Sequence, residues 1–98
     1  MEIRPYCREF LQNVSQYYEL VIFTSAEKFY ADIILNELDP EQDLIKHRLY
    51  KDHTKYKNDA YLKDLDNLGR DLSKTIIVDD QPANFQQHVA NGIEIAPW

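Results

Sequence analysis

Only two glycines and four prolines occur among the 98 residues, too few for a flexible linker or a collagen-like repeat. A single cysteine cannot close an internal disulfide, which excludes a disulfide-stapled scaffold and points to a reducing compartment. No apolar run is longer than Leu20–Phe23, so neither a transmembrane helix nor a signal-peptide core is expected. Positive charge is also scarce: 11 Lys and Arg stand against 17 Asp and Glu, for a net charge of −6. A general nucleic-acid binder needs the opposite balance to displace counterions, so direct nucleic-acid binding is not expected. What remains, 44% hydrophobic and 29% charged residues, suits one small soluble globular domain.

The charge is unevenly distributed. Lys46, Arg48, Lys51, Lys55 and Lys57 face one acid, Asp52, so this stretch carries +4 and the remainder −10. Alone, such a stretch reads as a solvated loop; opposite a phosphorylated ligand it would act as a counter-charge.

The apolar pattern alternates between helix and strand periods. Arg4-Pro5 opens a helix expected near residues 5–17, with Cys7, Phe10, Leu11, Val14 and Tyr18 on one stripe. On that stripe Cys7 reads as a small buried hydrophobe rather than a nucleophile. Leu20–Phe23 reads as a strand buried on both faces, near residues 20–24. Thr24-Ser25 ends it and offers a cap, with Glu27 three residues after Thr24, to a helix near residues 26–38 that runs through Phe29, Tyr30, Ile33, Ile34 and Leu38 and that Asp39-Pro40 stops. A short strand is expected at His47–Tyr50 and a short helix over Tyr61–Leu68, closed by Gly69. Residues 75–79 form a second buried strand ending in Asp79-Asp80. Pro82 starts a helix through Phe85 and Val89, Asn91-Gly92 is a turn, and Ile93–Ile95 is a third short strand. The order predicts an α/β fold with a mainly parallel sheet.

Both principal strands end in polar residues, and ligands of open parallel sheets bind beyond the carboxyl ends of strands. A hydroxyl there can hold a phosphate oxygen, and a carboxylate pair a hard cation such as Mg2+. Taken singly, Thr24-Ser25 is better read as a cap and Asp79-Asp80 as a turn. Two such ends with a basic stretch between them favour a phosphate-and-magnesium site.

A wider set of motifs carries a resemblance. Arg4-Pro5 with Phe10-Leu11, Val21–Ser25, Tyr30-Ala31-Asp32, Leu38-Asp39-Pro40 and His47–Tyr50 are followed in order by Tyr61–Leu65, Leu68–Leu72, Ile76–Asp80 and Trp98. Together they resemble the FCP/SCP phosphatase domain of the haloacid-dehalogenase superfamily, most of all its CTD small-phosphatase-like members, over nearly the whole chain. The resemblance implies a Rossmann-like parallel sheet, one domain over residues 1–98, and Mg2+-dependent hydrolysis of phosphoserine or phosphothreonine proteins through an aspartyl-phosphate. The RNA polymerase II tail is the best-known substrate of the family.

Carried onto this sequence, the resemblance gives Thr24 the second-motif hydroxyl that holds a phosphate oxygen, with Ser25 beside it. Lys63 takes the third-motif lysine that neutralises the phosphoryl group. Asp79 becomes a Mg2+ ligand, and Asp80 shares the fourth motif with it. Lys51 stands where many members have a substrate-side arginine, keeping the charge but losing bidentate geometry.

The family's nucleophile motif, Asp-x-Asp-x-Thr/Val at the end of a first strand, has no counterpart before Arg4. Asp64-Leu65-Asp66-Asn67-Leu68 imitates it without a hydroxyl at the fifth place, without a preceding apolar strand, and directly after Lys63. The expectation is a partial domain, incomplete at its N-terminal strand and inactive alone, with two strands whose inner edges are open or paired to each other. A nuclear or cytoplasmic protein is expected. The alternatives are a pseudophosphatase and a binding module related to the mitochondrial inner-membrane presequence translocase, whose ending Ala96-Pro97-Trp98 resembles.

Overall fold

Helical and extended segments alternate along the chain in a computed structural model that describes residues 3–98. Contacts divide the chain into two compact units meeting between Asp52 and His53.

In the first unit, Pro5 lies in a turn rather than in the helix. Tyr6 takes a left-handed conformation (φ 65°) that cannot belong to a right-handed helix, so α1 begins later, as Cys7–Val14. Strand β1 is Leu20–Phe23, α2 is Lys28–Leu38 and β2 is Ile45–Leu49. β2 runs parallel to β1, with Val21 opposite His47 and Phe23 opposite Leu49. Leu11, Ala31, Leu35, Leu38 and Ile45 form the core, with Cys7 packed against it. Burial pushes the Cys7 thiol above its ordinary pKa, in keeping with a small hydrophobe.

Asp39 stops α2 and starts β2. It is 1% exposed, and its two carboxylate oxygens accept the N–H groups of Asp43, Leu44 and Ile45 at 2.9–3.3 Å. Burial raises its carboxyl pKa, but these donors outweigh burial and hold it below the ordinary value. Asp32, one turn into α2, binds Lys28 Nζ (2.6 Å), Arg48 (2.9 Å) and the Tyr50 hydroxyl (2.6 Å), tying the helix to β2.

The second unit holds two more strand pairs. Lys55–Lys57 (β3) and Ala60–Leu62 (β4) form an antiparallel hairpin. Its two loop residues, Asn58 and Asp59, both have positive φ (55° and 61°), as a type I′ turn requires. The helix expected over Tyr61–Leu68 is thus replaced by a strand and a 3-10 turn, Leu65–Leu68, that Gly69 closes at φ 68°. β5 (Ile77–Asp79) runs parallel to β6 (Gly92–Glu94), which begins one residue earlier than expected. The helix expected from Pro82 shrinks to two 3-10 turns, Pro82–Phe85 and Val89–Asn91. Phe85 is buried at the unit's core with Leu65 and Ile77, and a Cβ on Gly92 would collide with its ring.

The architecture is α/β with small parallel pieces. Neither principal strand is buried on both faces: β1 is half-buried throughout, and Val78 of β5 is 48% exposed. Among the described residues each has one strand partner, β1 with β2 and β5 with β6, so each keeps one open edge. No helix among them is long and apolar enough to cross a membrane.

Candidate active site

The carboxyl ends of β1 and β2 gather three of the expected residues. Thr24 N–H donates to Leu49 O (2.9 Å), and Thr24 Oγ1 accepts Ala26 N–H (3.1 Å). Lys51 N–H donates to Ala26 O (3.0 Å), which ties Lys51 to the Thr24-Ser25 turn, and its Nζ lies 3.6 Å from Glu27. All three residues are half-buried. The expected cap does not form. Thr24 spends its oxygen on a turn two residues ahead, and α2 starts from Glu27 without a side-chain cap. A hydroxyl has one proton and two lone pairs, so Thr24 keeps a donor for an anionic oxygen. Two residues of the basic stretch are answered within the unit: Arg48 by Asp32 and Asn36, Lys46 by Asp43 O.

In the second unit, Lys63 and Asp79 are brought together. Asp79 ends β5, and Lys63 follows β4 in an extended stretch instead of riding on a helix. Lys63 Nζ donates to Asp79 Oδ2 at 2.6 Å, with side chains only 9% and 6% exposed. The other oxygen, Oδ1, accepts Gln81 N–H at 3.0 Å. Burial alone would raise the Asp79 carboxyl pKa; the Lys63 hydrogen bond, Gln81 N–H and the ammonium charge reverse it, so the carboxyl sits below its ordinary value. Asp80 lies in the bend after β5, exposed, outside this buried pair.

Two residues not anticipated from the sequence hold the segment around Lys63. Buried Asn84 accepts Lys63 N–H on its main-chain oxygen (2.8 Å) and places its amide 3.5 Å from Asp79 Oδ2. Buried His88 takes Leu65 N–H on Nε2 (3.1 Å), and the same atom lies 3.0 Å from Asp64 Oδ1. Pro82 at the start of a 3-10 turn was the available signal for Asn84; His88 had none. Ligand-type atoms of Asp64, Asp66 and His88 lie within 4.8 Å of one another. The Nε2 of His88 and Oδ1 of Asp64 already receive main-chain N–H groups, so the cluster serves as a cap for the turn at Leu65–Leu68.

Among these groups, Asp79 is the one suited to Mg2+. The cation is hard, takes carboxylate oxygen, and keeps several waters when only one or two carboxylates serve it. Asp79 offers an ionised oxygen, Oδ1, that accepts the Gln81 N–H and has lone pairs left for a cation, so the donor chemistry fits.

Comparison with known proteins identifies relatives over the whole chain. The sequence model described as NLI interacting factor-like phosphatase matches residues 1–98. CTD small phosphatase-like protein 2 of Dictyostelium discoideum is 46% identical over 95 residues, which is 97% of this chain and 17% of that protein. The mitochondrial import inner membrane translocase subunit TIM50 of Eremothecium gossypii is 41% identical over 95 residues, 97% of this chain and 20% of that protein. Fission yeast RNA polymerase II CTD phosphatase Fcp1, in a structure bound to beryllium fluoride, superposes with a TM-score of 0.85 at 29% identity, covering 99% of this chain and 26% of that one. The chain thus spans about a sixth to a quarter of the length of these relatives.

Proposed function

The chain belongs to the NLI interacting factor-like phosphatase family, and on that premise we propose that it supplies the phosphate-handling groups of a Mg2+-dependent protein serine/threonine phosphatase. The observation that carries this reading is the buried Lys63–Asp79 pair. A scaffold has little use for an ammonium and a carboxylate out of water, where each loses hydration. Phosphoryl transfer does: it runs mainly on positioning and charge neutralisation.

In this reading Lys63 neutralises phosphoryl oxygen, and Asp79 holds Mg2+, with exposed Asp80 beside it. Mg2+, when bound, withdraws charge from the phosphoryl oxygens. Thr24 donates its hydroxyl proton to a phosphate oxygen, Ser25 assists in the same turn, and Lys51 attracts the phosphorylated segment as a point charge. The attacking carboxylate of an aspartyl-phosphate route is assigned to no residue of this chain. The substrate class is a phosphoserine or phosphothreonine protein, the polymerase tail among the candidates, in a nuclear or cytoplasmic setting.

The TIM50 relative supports a second reading, a protein-binding module in a mitochondrial membrane complex, at an identity close to that of the phosphatase relative. The deciding measurement is release of phosphate from a phosphoserine peptide by the intact protein that carries these residues. Turnover that needs Mg2+ and is lost in Asp79→Asn supports the phosphatase. Binding of an unphosphorylated precursor peptide without turnover supports the module.

A further inference from the structure

We propose that His88 is the positioning residue for Lys63: its imidazole fixes the turn that carries the lysine and so sets where the ammonium stands against Asp79. The inference builds on the phosphatase reading for its kinetic consequence and on geometry alone for its structural one.

Residues 63 and 64 lie in no helix or strand, so no regular hydrogen-bond ladder places them. Main-chain N–H groups bound to specific acceptors do. Lys63 N–H is held by Asn84 O at 2.8 Å. Leu65 N–H is held by His88 Nε2 at 3.1 Å, and Asp64 Oδ1 lies 3.0 Å from the same nitrogen. Asp64 in turn takes Asp66 N–H at 3.0 Å. The first two N–H groups of the turn Leu65–Leu68 thus have different side-chain acceptors, one of them on a residue more than twenty positions away. Leu65 is 3% exposed and the His88 side chain 8%, so water cannot take over the imidazole's role unless the turn opens.

The ring nitrogen cannot serve both neighbours at once. With its proton on Nδ1, Nε2 accepts Leu65 N–H; with a proton on Nε2, it donates to Asp64 and leaves Leu65 N–H unmet. A glutamine carries an acceptor oxygen and a donor nitrogen on one carboxamide and can satisfy both. An asparagine is one methylene shorter and falls short of the turn. A leucine fills the volume and offers neither bond. This series separates positioning from packing.

The experiment compares His88→Gln, His88→Asn and His88→Leu in the intact protein. Each is read by the 15N resonance of the Lys63 ammonium, by Leu65 amide exchange, and by kcat and KM on a phosphoserine peptide. In His88→Leu and His88→Asn the Lys63 resonance should move and Leu65 exchange should speed up. Their kcat should fall by roughly 10- to 100-fold with KM within about threefold, since a lysine misplaced by about 1 Å loses rate rather than binding. His88→Gln should leave the Lys63 resonance in place and keep Leu65 exchange, kcat and KM within about threefold of wild type. An unmoved Lys63 resonance in folded His88→Asn would overturn the proposal, as would kcat and KM changing together with no rescue by glutamine. If wild type shows no turnover, the phosphatase reading fails, and the resonance and exchange still decide the role of His88. If His88→Leu does not fold, the asparagine and glutamine variants carry the same decision.

Discussion

Asp39 in the first unit and Asp79 in the second are both buried carboxylates held ionised, yet they are held by different kinds of partner. Asp39 accepts three main-chain N–H groups, all from one loop. Asp79 is met by one N–H, one long amide contact, and the ammonium of Lys63. Main-chain donors cannot leave without dismantling the loop. A lysine on a four-carbon stem can change partner without any change in the main chain. The first arrangement therefore fixes a fold, and under the proposed phosphatase reading the second would hold a charge for an incoming phosphoryl group.

The sharpest way to break this contrast is to remove the ammonium. Lys63→Met strands a buried carboxylate and should cost about 3–5 kcal/mol of stability. It should also lower kcat by about 10²- to 10³-fold. Urea unfolding and peptide turnover check the two effects. Lys63→Met combined with Asp79→Leu should regain most of the stability and none of the activity. If the single variant unfolds like wild type, the pair is not the buried charge described here.

Asp39→Ala comes next. Three N–H groups lose their acceptor, at a net cost of roughly 1 kcal/mol each, so the midpoint in urea should fall by an amount matching about 3 kcal/mol in total. Asp39→Asn retains one acceptor oxygen and should lose about half as much. Neither should alter kcat in material that remains folded; a kcat defect there would erase the distinction between the two aspartates.

Gly92→Ala should cost about 1–3 kcal/mol, because the new methyl has to displace the buried Phe85 ring. Phe85→Leu in the same chain should recover part of the loss. Thermal melts of the two variants settle it.

The smallest effect sharpens the comparison with a third carboxylate, the half-exposed Asp32. Lys28 first, then Tyr50 and Arg48, lower its carboxyl from 3.8 to about 2, against the opposing effect of burial. Since the folded pKa is the lower one, its stabilisation is complete above about pH 4 and drains away as pH falls towards 2. Asp32→Asn should melt below wild type at neutral pH and converge with it near pH 2. A constant gap across that range would show that the carboxylate contributes no charge-dependent stability.

Several parts of this picture were legible in the residues and others were not. The run at Leu20–Phe23 located β1 and the apolar spacing through Phe29, Tyr30, Ile33, Ile34 and Leu38 located α2, but Phe29, Tyr30 and Ile33 are exposed and the helix buries Ala31 and Leu35 with Leu38 instead. Thr24, Ser25 and Lys51 were placed by the order of motifs, and the parallel pairing of β1 with β2 explains why they end up at one edge. The hairpin at residues 55–62 was missed because its loop is Asn58-Asp59 rather than a glycine-containing pair. The alternation of Lys55, Tyr56 and Lys57 against Ala60, Tyr61 and Leu62 was the signal for it. Tyr61, Leu62, Leu65 and Leu68 have helical spacing, but the buried positions are those a strand and a 3-10 turn supply. Asn84 and His88 escaped notice because main-chain bonds between distant segments leave no periodicity in a sequence.

The three N–H donors on Asp39 also govern how the polypeptide ages in acid. Asp39 precedes Pro40, and an Asp–Pro peptide bond is hydrolysed in acid when the aspartyl carboxyl attacks its own carbonyl carbon. In the folded chain that carboxyl is turned towards Asp43, Leu44 and Ile45 and shut away from solvent. Scission between residues 39 and 40 is therefore a clock that starts only on unfolding. In mild acid, mass spectrometry should find fragments 1–39 and 40–98 accumulating at a rate set by the unfolded fraction. Asp39→Asn should be silent under the same conditions, and cleavage of fully folded wild type at the unfolded rate would mean that the carboxyl is not held as described.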